Sequence, residues 1–506
     1  MSPGPASSAE ANRWLVLAVV CAALLVVVID ATVLHVAAPS ISEDLRPSAV
    51  ELLWIIDGYS LVVAPLLVGF AKLGDKVGRP QVMLAGLAVF AAASLVAAFA
   101  PSPLVLIIGR ALMGVGGAMI MPQTMSILRD VFPDRRERTT AVGIWVSVSS
   151  AGAAIGPIVG GFLVEHYWWG SVFLINIPIL LAIAVATIAW LPPSRAATPA
   201  PLDPVSVGLV TVGILGFAFG GKHGARHGFD DPLAVVTLLG GIALLTTFVR
   251  RQLGTTTPLL DVRLFGQRAF AVAVGCIVLA MVALIGLDFF FAQYLQLVLG
   301  LEPLAASVRL IPLALATIVG GLIAAPILAR VGTRASIAGG LLISALSLVP
   351  LLSLGLADEW LILSGSFIVL GLAIQVVAVA ANDVIVSAVT TDRAGDAAAI
   401  EETAYELGGG LGIAVLGSVL AAIYTDALTT VRGVPAAEMA GSRESLSEAT
   451  EIAAGLPAAI GDALVDAARL AFLDGLHVTI IASIVLMLTA TAVAAAVLPR
   501  VFSGAR

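Results

Sequence analysis

The chain has 506 residues, of which 59% are hydrophobic and 12% are charged. Its mean hydropathy of +1.07 leaves too little polar surface to solvate a folded protein in water. This composition excludes a soluble protein and indicates an integral membrane protein. The formal net charge of -7 comes largely from the segment between Tyr424 and Leu476. Because the sequence contains no nucleic-acid-binding module, no nucleic-acid partner is predicted.

Apolar runs of about 18 to 25 residues recur along the whole chain, each long enough to cross roughly 30 Å of hydrocarbon as an α-helix. There are fourteen of them, and they begin near Trp14, Leu52, Val82, Leu104, Thr139, Ser171, Val205, Pro232, Ala269, Ala305, Ser336, Trp360, Ala397 and Leu476. The sequence therefore predicts an all-α integral membrane protein with fourteen transmembrane helices. Basic residues such as Lys72, Arg79 and Arg330 fall in alternate loops. Because Lys and Arg in short loops stay cytoplasmic, both termini are predicted to be cytoplasmic.

A proline-rich segment at residues 191–207 separates the first six apolar runs from the rest. The turn Lys76-Val77-Gly78 recurs as Arg330-Val331-Gly332, which indicates a duplicated six-helix unit. We therefore expect an N-terminal six-helix bundle at 1–191, a linker with two inserted transmembrane helices at 192–268, and a C-terminal six-helix bundle at 269–506 that includes an outer loop at 425–475. In that loop, helical spacing on both sides of a Gly-Leu-Pro break at 455–457 predicts a helical hairpin.

The first two predicted helices each carry a carboxylate inside an apolar run. Asp30 lies roughly 24 Å along the first helix from Trp14. Asp57 enters the second helix from its outer side and reaches a similar depth. An ionisable group in hydrocarbon is costly, so residues of this kind mark functional sites. Both acids are predicted to take part in proton coupling and substrate binding.

The loop between the second and third predicted helices, residues 73–79, combines two glycines with fixed charges. Asp75 can accept hydrogen bonds from backbone N–H groups or pair with a cation, and either contact would latch an inner gate in one state. Asp75 and Arg79 are accordingly predicted to act in gating. An ordinary basic cytoplasmic loop is the alternative.

Arg110 lies within the fourth predicted helix, near its outer boundary. A charged side chain there costs several kcal/mol unless it is paired or hydrated, so the position predicts a partner. The alternative is a structural arginine whose side chain extends to the membrane surface.

The fifth predicted helix contains Gly152, Gly156 and Gly160, four residues apart, together with Pro157. Residues at this spacing lie on one helical face, so the three glycines remove the side chains that would hold a neighbouring helix away. Pro157 adds a local kink. Many membrane helices use such small residues only for packing, but the Gly-Pro pair and the double glycine that follows it favour a gating role.

Asp288 is isolated in the ninth predicted helix and is followed by three phenylalanines. A carboxylate near aromatic faces suits a lipophilic cation. We therefore predict that Asp288 contributes to substrate binding or proton coupling. Pairing of Asp288 with Arg309, at the outer end of the tenth helix, is the alternative.

Three further acids, Glu401, Glu402 and Glu406, open the thirteenth predicted helix. Glu402 and Glu406 are four residues apart and share one helical face. Three acids so close together in a hydrophobic segment are hard to explain by packing. They are predicted to join the proton-coupling and substrate-binding set.

These motifs occur in the order found in one family of transporters. The chain resembles the fourteen-span drug:proton antiporters of the major facilitator superfamily, notably those that confer resistance to quaternary ammonium compounds. The segment that starts at Asp30 is similar to the first-helix motif of that family, with His35 where an asparagine is usual. The loop around Asp75 is similar to the signature loop of the superfamily, with Ala71 where a glycine is usual and Pro80 where a basic residue is usual.

The resemblance also includes the fourth and fifth helices. Arg110 is similar to the fourth-helix arginine that is implicated in proton transfer, with Met113 where a glutamine is more usual. The glycines around Pro157 are similar to the antiporter motif, whose bending and close packing are thought to seal one side of the pathway. The resemblance implies two six-helix bundles that rock about a central cavity, plus two extra helices.

The motifs and the resemblance together predict a proton-coupled antiporter that exports lipophilic cationic drugs across the cytoplasmic membrane of a bacterium by alternating access. Removal of a carboxylate from water favours its protonated form and a bound cation favours its ionised form, so proton and drug compete for one charge. The expected partners are lipophilic cations, protons and the lipid bilayer, and the chain is expected to be a monomer. An exporter of one endogenous metabolite, antibiotic or lipid, and a receptor that does not transport, are the alternatives.

The sequence contains no visible enzymatic domain, metal-ligand cluster or phosphate-binding loop. Catalysis and ATP-driven export are therefore disfavoured. Neither a cofactor nor a metal is predicted.

Overall fold

A computed structural model describes residues 8–195, 203–227, 230–255, 258–388 and 394–499. The regular structure within these ranges is helical, and they contain no β-strand. A first group of helices comprises α1 (Ser8–Leu45), α2 (Ala49–Val77), α3 (Arg79–Ala98), α4 (Pro103–Val131), α5 (Arg135–His166), α6 (Ser171–Leu174) and α7 (Asn176–Trp190). Residues 196–202, in the middle of the predicted proline-rich connector, lie outside the described residues.

The rest of the chain forms an inserted pair, a second group and two short helices. The inserted pair is α8 (Pro204–His227) and α9 (Pro232–Gly254). The second group comprises α10 (Arg268–Gln293), α11 (Pro303–Val331), α12 (Thr333–Leu348), α13 (Trp360–Ser387), α14 (Ala394–Ala427) and α17 (Ala458–Val497). The short helices α15 (Ala436–Ser442) and α16 (Leu446–Ala454) lie between α14 and α17, and a π-helical turn, Tyr294–Val298, follows α10.

Each of the fourteen predicted spans corresponds to a helix. Within the described residues, thirteen spans are long and apolar enough to cross a membrane, with α6 and α7 together forming the span Ser171–Trp190. The remaining position is filled by α5, whose apolar stretch, Ala151–His166, is shorter. Large apolar side chains are exposed on the outer faces, for example on α7, as expected where lipid is the solvent. The predicted all-α membrane fold is confirmed.

The two groups meet mainly through two pairs of helices, and α1 also contacts α10. Within the first group, α1 packs on α5, and α4 packs on α2 and α3. Within the second group, α10 packs on α14, and α13 packs on α11 and α12. Between the groups, α2 packs on α14 and α5 packs on α11, while α8 of the inserted pair rests on α2. The predicted boundaries at 191 and 268 fall between these groups, and the division into separate domains stays a prediction.

The bundle has two ends that later sections refer to by name. The terminal end is where α1 begins and α17 ends, and the hairpin end is where α15 and α16 lie. At the hairpin end, Arg46, directly after α1, forms an ion pair with Glu451 of α16.

The predicted helical hairpin is present, but its second arm differs from the prediction. Helix α16 and the start of α17 pack together on the two sides of the break at 455–457. The sequence predicts a separate helix at 459–473 before the last span, whereas α17 runs for 40 residues without interruption. From the start of α17 to Leu476 the chain contains no proline and only two glycines, Gly461 and Gly475, so the helical hydrogen bonds continue into the membrane.

The repeated basic turn is also a structural repeat. Gly78 separates α2 from α3 with a φ of 129°, and Gly332 separates α11 from α12 with a φ of 80°. Positive φ values of this kind favour glycine. The two turns therefore let the chain reverse direction in the same place in each group.

Candidate functional site

Asp30 and Arg110 form a buried ion pair at the centre of the first group. Arg110 Nη1 lies 2.6 Å from Asp30 Oδ2, and both side chains are 0% exposed. Asn176 of α7 donates from Nδ2 to the other oxygen of Asp30 at 2.9 Å. Arg110 thus has the partner that its position in an apolar helix requires, and its charge does not reach the membrane surface.

The second helix completes this centre. Arg110 Nε donates to the carbonyl oxygen of Ile55 at 3.2 Å, and the guanidinium lies 4.7 Å from the centre of the Tyr59 ring. Asp57 is 1% exposed and belongs to the same helix. In the described part of the chain, Arg110 Nη2 and the Tyr59 hydroxyl are buried without a hydrogen bond. The centre therefore contains the fixed charge of Arg110 and two polar groups, Arg110 Nη2 and the Tyr59 hydroxyl, that can form further hydrogen bonds. Such surroundings suit a carboxylate, Asp30, whose protonation changes.

The acids of α14 lie at the boundary between the groups instead. Glu401 accepts a hydrogen bond from Asn382 of α13. Glu402 and Glu406 are half-buried. Nearby, Thr403 Oγ1 donates to the carbonyl oxygen of Ala64 in α2 at 3.4 Å. These carboxylates can meet a cation between the groups, whereas Asp30 cannot in this arrangement.

Asp288 pairs with a residue whose role the sequence left open. His35 Nδ1 of α1 lies 2.8 Å from Asp288 Oδ2 of α10, so the contact joins the two groups. The alternative pairing of Asp288 with Arg309 is wrong. Arg309 Nη2 lies 2.5 Å from Asp358 Oδ2. Arg309 is in the second turn of α11, and Asp358 is in the loop before α13.

The basic turn forms a network at the terminal end. Arg79 Nη2 lies 2.9 Å from Asp75 Oδ1, and Arg79 Nη1 pairs with Asp130 at the end of α4. Arg79 Nη1 also donates to Ser194 Oγ at 3.2 Å, and Ser194 Oγ donates to Asp130 Oδ2 at 2.5 Å. The turn is thus fastened to α4 and to the chain that leaves α7. Asp130 was not among the site residues predicted from the sequence. Its position at the predicted cytoplasmic end of the fourth helix was a signal that could have identified it.

The spaced glycines of α5 lie against α1. A Cβ at Gly156 would lie 2.0 Å from Thr32 Oγ1, and one at Gly160 would lie 2.9 Å from the carbonyl oxygen of Val33. Gly152 faces the same helix, where its nearest neighbour is the flexible side chain of Leu25. Close backbone approach along this face is therefore possible only with glycine.

The opposite side of α5 contacts the second group. Ser307 Oγ of α11 donates to the carbonyl oxygen of Pro157 at 2.7 Å. A Cβ at Gly161 would lie 2.6 Å from Ser307 Oγ. Helix α5 is thus packed between α1 and α11, where it can transmit a shift of one group to the other.

Sequence comparison places these features in a known family. The profile of the Major Facilitator Superfamily matches residues 20–413. The chain belongs to this superfamily. It is 41% identical to the multidrug efflux pump LfrA of Mycolicibacterium smegmatis over an alignment of 482 residues, and this alignment covers 95% of each chain. It is 38% identical to the methyl viologen resistance protein SmvA of Salmonella typhimurium over an alignment of 462 residues, and this alignment covers 91% of this chain and 93% of that protein.

The solved structures agree with this fold. A bacterial homolog of the human lysosomal transporter Spinster superposes with a TM-score of 0.67 at 17% identity and covers 98% of this chain and 99% of that chain. The protein is therefore a multi-pass membrane transporter and not an enzyme. The resemblance to the drug antiporters of the superfamily is confirmed by the efflux relatives.

The predicted site residues fall into separate places in the superfamily fold. Asp30 and Arg110 lie together inside the first group, Asp57 is buried on α2, and Asp75 and Arg79 lie together at the terminal end. Asp288 and the three glutamates lie on two different helices of the second group. Asn176 was missed, although a lone amide in an apolar run was a usable signal.

Proposed function

We propose that the protein exports lipophilic cations across the cytoplasmic membrane in exchange for protons, by alternating access. The observation that carries the proposal is the fully buried Asp30–Arg110 ion pair in an apolar bundle. A buried pair of this kind is a poor source of stability, which favours a functional role. Relatives named for multidrug efflux and for resistance to methyl viologen, a dication, support cationic substrates.

The acids divide into two roles in this proposal. Asp30 is assigned the proton and not the substrate, because it is fully buried and Arg110 already occupies the place beside it that a cationic substrate would need. Glu402 and Glu406 bind the cationic substrate, because they are half-buried and lie where α14 packs on α2. The two sites influence each other through α2, which contacts Arg110 through Ile55 and Tyr59 and packs against α14.

Protonation of Asp30 removes the counter-charge of Arg110. Breaking a buried pair while one charge remains costs about 3–5 kcal/mol, so the protonated first group favours a different packing of its helices. Inward movement of a proton supplies roughly 2.3 kcal/mol per 100 mV of membrane potential, and outward movement of a monovalent cation costs the same amount. In one-for-one exchange the pH gradient therefore drives the substrate outward, and the membrane potential adds to it only when more protons enter than substrate charges leave.

The gates lie at both ends in this proposal, with the hairpin end outside. Contacts between the groups at the hairpin end, such as Leu304 N to Glu165 Oε2 at 3.3 Å, hold that end closed here. The Gly152, Gly156 and Gly160 face lets α5 move closely along α1. The pairing of Arg79 with Asp75 and Asp130 steadies the terminal end.

Purified protein in liposomes with an imposed pH gradient tests this function. Native protein should move ethidium against its own gradient, and an uncharged lipophilic dye should be moved poorly. Asp30→Asn, which keeps the size but cannot ionise, should lose pH-driven efflux while it still inserts in the membrane, although with lower stability because Arg110 keeps a buried charge without its counter-charge. Efflux at the native rate from this variant would reject Asp30 as the essential carboxylate. Transport of only one antibiotic or lipid would favour a dedicated exporter on the same fold.

A further inference from the structure

His35 and Asp288 form a second charged contact, distinct from the Asp30 centre. The two residues are on α1 and α10, and their side chains are 4% and 18% exposed. His35 follows Asp30 by five positions on α1, which is about 140° around the helix and roughly 7.5 Å along it. Asp30 therefore faces α4 and α7 inside the first group, whereas His35 faces the second group.

The surroundings of the pair are apolar. The edge of the His35 ring meets Phe289, with the ring centres 5.6 Å apart. Gln296 Nε2 donates to the carbonyl oxygen of Val36 at 3.1 Å and adds a second contact between the same parts of the chain. Hydrogen bonds to a charged group contribute more than neutral ones when water is scarce. The contact therefore favours the closed hairpin end.

The charged groups on the neighbouring elements have other contacts in the described part of the chain. These contacts are Asp30 with Arg110, Arg309 with Asp358, Arg46 with Glu451, Glu165 with Leu304 N, Asp44 with Trp169, and Arg469 and His477 with the carbonyl oxygens of Leu297 and Leu354. Asp57 on α2 and Glu406 on α14 are further acids on helices packed against α1 and α10. Neither is altered in the test below.

Separation of the groups at the hairpin end must break this contact, because its two residues belong to different groups. Asp288 would then be a carboxylate in an apolar wall without its donor, which is costly. A cation bound beside Asp288 removes that cost. His35 and a cationic substrate are thus two alternative partners for one carboxylate.

We propose that His35 and Asp288 form a clasp between the two groups, and that the hairpin end opens only when a cationic substrate has replaced His35 at Asp288. His35 is a positioning residue in this scheme, since it acts on the substrate through Asp288. The clasp prevents the empty transporter from opening outward, which would otherwise let exchange run without coupling. The inference rests on the proposed function for its role in transport, but the clasp itself can be tested without transport.

Distance measurements between spin labels test the clasp directly. Labels at Glu43→Cys, near the end of α1, and Glu302→Cys, just before α11, report the width of the hairpin end, because both positions are exposed. The buried native cysteines are removed by Cys21→Ala and Cys276→Ala. The measurements are made at a constant pH of 8, with and without ethidium, in an Asp30→Asn background, so that protonation of Asp30 does not contribute.

In this background, the ratio of open to closed molecules should rise on the order of tenfold when ethidium is added, the change expected from loss of one hydrogen bond to a charged group. Asp288→Asn and His35→Leu should be more open without ethidium and should lose this response. His35→Gln, which can still donate to a carboxylate, should stay closed without ethidium. The same response to ethidium in Asp288→Asn as in its parent would overturn the clasp. Native transport by Asp30→Asn would instead reject the proposed function and leave the clasp result unaffected.

Discussion

Arg110 Nη1 lies 2.6 Å from Asp30 Oδ2 in a place where neither side chain has any exposed surface. The pair joins α4 to α1, while Asn176 of α7 and the carbonyl oxygen of Ile55 in α2 make further hydrogen bonds to it. Four helices of the first group therefore converge on one titratable carboxylate. A single proton there changes the interactions of all four helices at once, which is the physical basis of the coupling proposed above.

Arg110→Leu should destabilise the folded protein strongly, because it leaves Asp30 as a buried charge without a partner. A loss of about 3–5 kcal/mol is expected from such a change. The double variant Arg110→Leu with Asp30→Asn should recover most of the stability but no pH-driven transport. Thermal unfolding in detergent, combined with efflux from liposomes, measures both properties. If the double variant is no more stable than Arg110→Leu alone, the two residues do not act as a pair.

Substitutions on the glycine face of α5 should differ in severity according to what each Cβ would meet. Gly156→Ala brings a methyl group to 2.0 Å from Thr32 Oγ1, whereas Gly152→Ala meets the movable end of Leu25 at 3.0 Å. Gly156→Ala should therefore slow transport far more than Gly152→Ala, and Thr32→Ala should restore part of the loss. Substrate binding to purified protein should survive better than transport in both variants. Equal loss of binding and transport in a well-folded Gly156→Ala protein would argue against a gating role for this face.

Neutralisation of one accessory acid should impair divalent cations more than monovalent ones. A monovalent substrate needs one compensating charge, but a divalent substrate left with a single carboxylate retains an uncompensated buried charge that costs several kcal/mol. Glu402→Gln, Glu406→Gln and Asp288→Asn should each lower methyl viologen efflux by at least tenfold and ethidium efflux by less. Asp426→Asn, an exposed acid at the hairpin end of α14, is the matched control. Equal losses of both substrates in all three variants would indicate a proton relay instead.

The inserted pair should be fastened by a network that does not respond to physiological pH. Asp203 Oδ2 accepts hydrogen bonds from Arg251 Nε at 2.9 Å and from Ser206 Oγ at 2.6 Å. The hydrogen bond from Arg251 is the largest cause that lowers the pKa of Asp203 to about 2. Its contribution to stability is therefore complete above about pH 4, the usual pKa range of an aspartate, and disappears as the pH falls through about 2.

Asp203→Asn should consequently lower the melting temperature by the same small amount at pH 5 and at pH 8. The decrease should be about 2 °C or less, because Arg251 is partly exposed and the pair is screened by solvent. A decrease that grows between pH 5 and pH 8 would show that Asp203 titrates in that range, contrary to this account.

The positions of the helices followed from the sequence, because hydropathy and length alone determine which segments can cross a bilayer. The spacing of Gly152, Gly156 and Gly160 likewise predicted a face that contacts a neighbour, and α1 is that neighbour. The extent of α17 was not predicted, since the amphipathic start of this helix and its membrane-spanning part are continuous in the structure but differ in composition.

The pairing of charges across the fold was much harder to predict. His35 and Asp288 are 253 positions apart in the chain, and only the packing of α1 on α10 brings them together. The alternative partner Arg309 was nearer in sequence but faces Asp358. A local motif indicates that a buried charge needs a partner, whereas the choice among several charges depends on helix packing that no single segment encodes.

Proton movement in response to substrate, measured with a pH-sensitive dye inside liposomes, tests the central claim most directly. Ethidium is supplied on one side only, without an imposed pH gradient, and the direction of proton flow is recorded. The account predicts that native protein moves protons opposite to ethidium and that Asp30→Asn gives no substrate-driven proton movement. Protons that move with ethidium, or native proton exchange by Asp30→Asn, would contradict it.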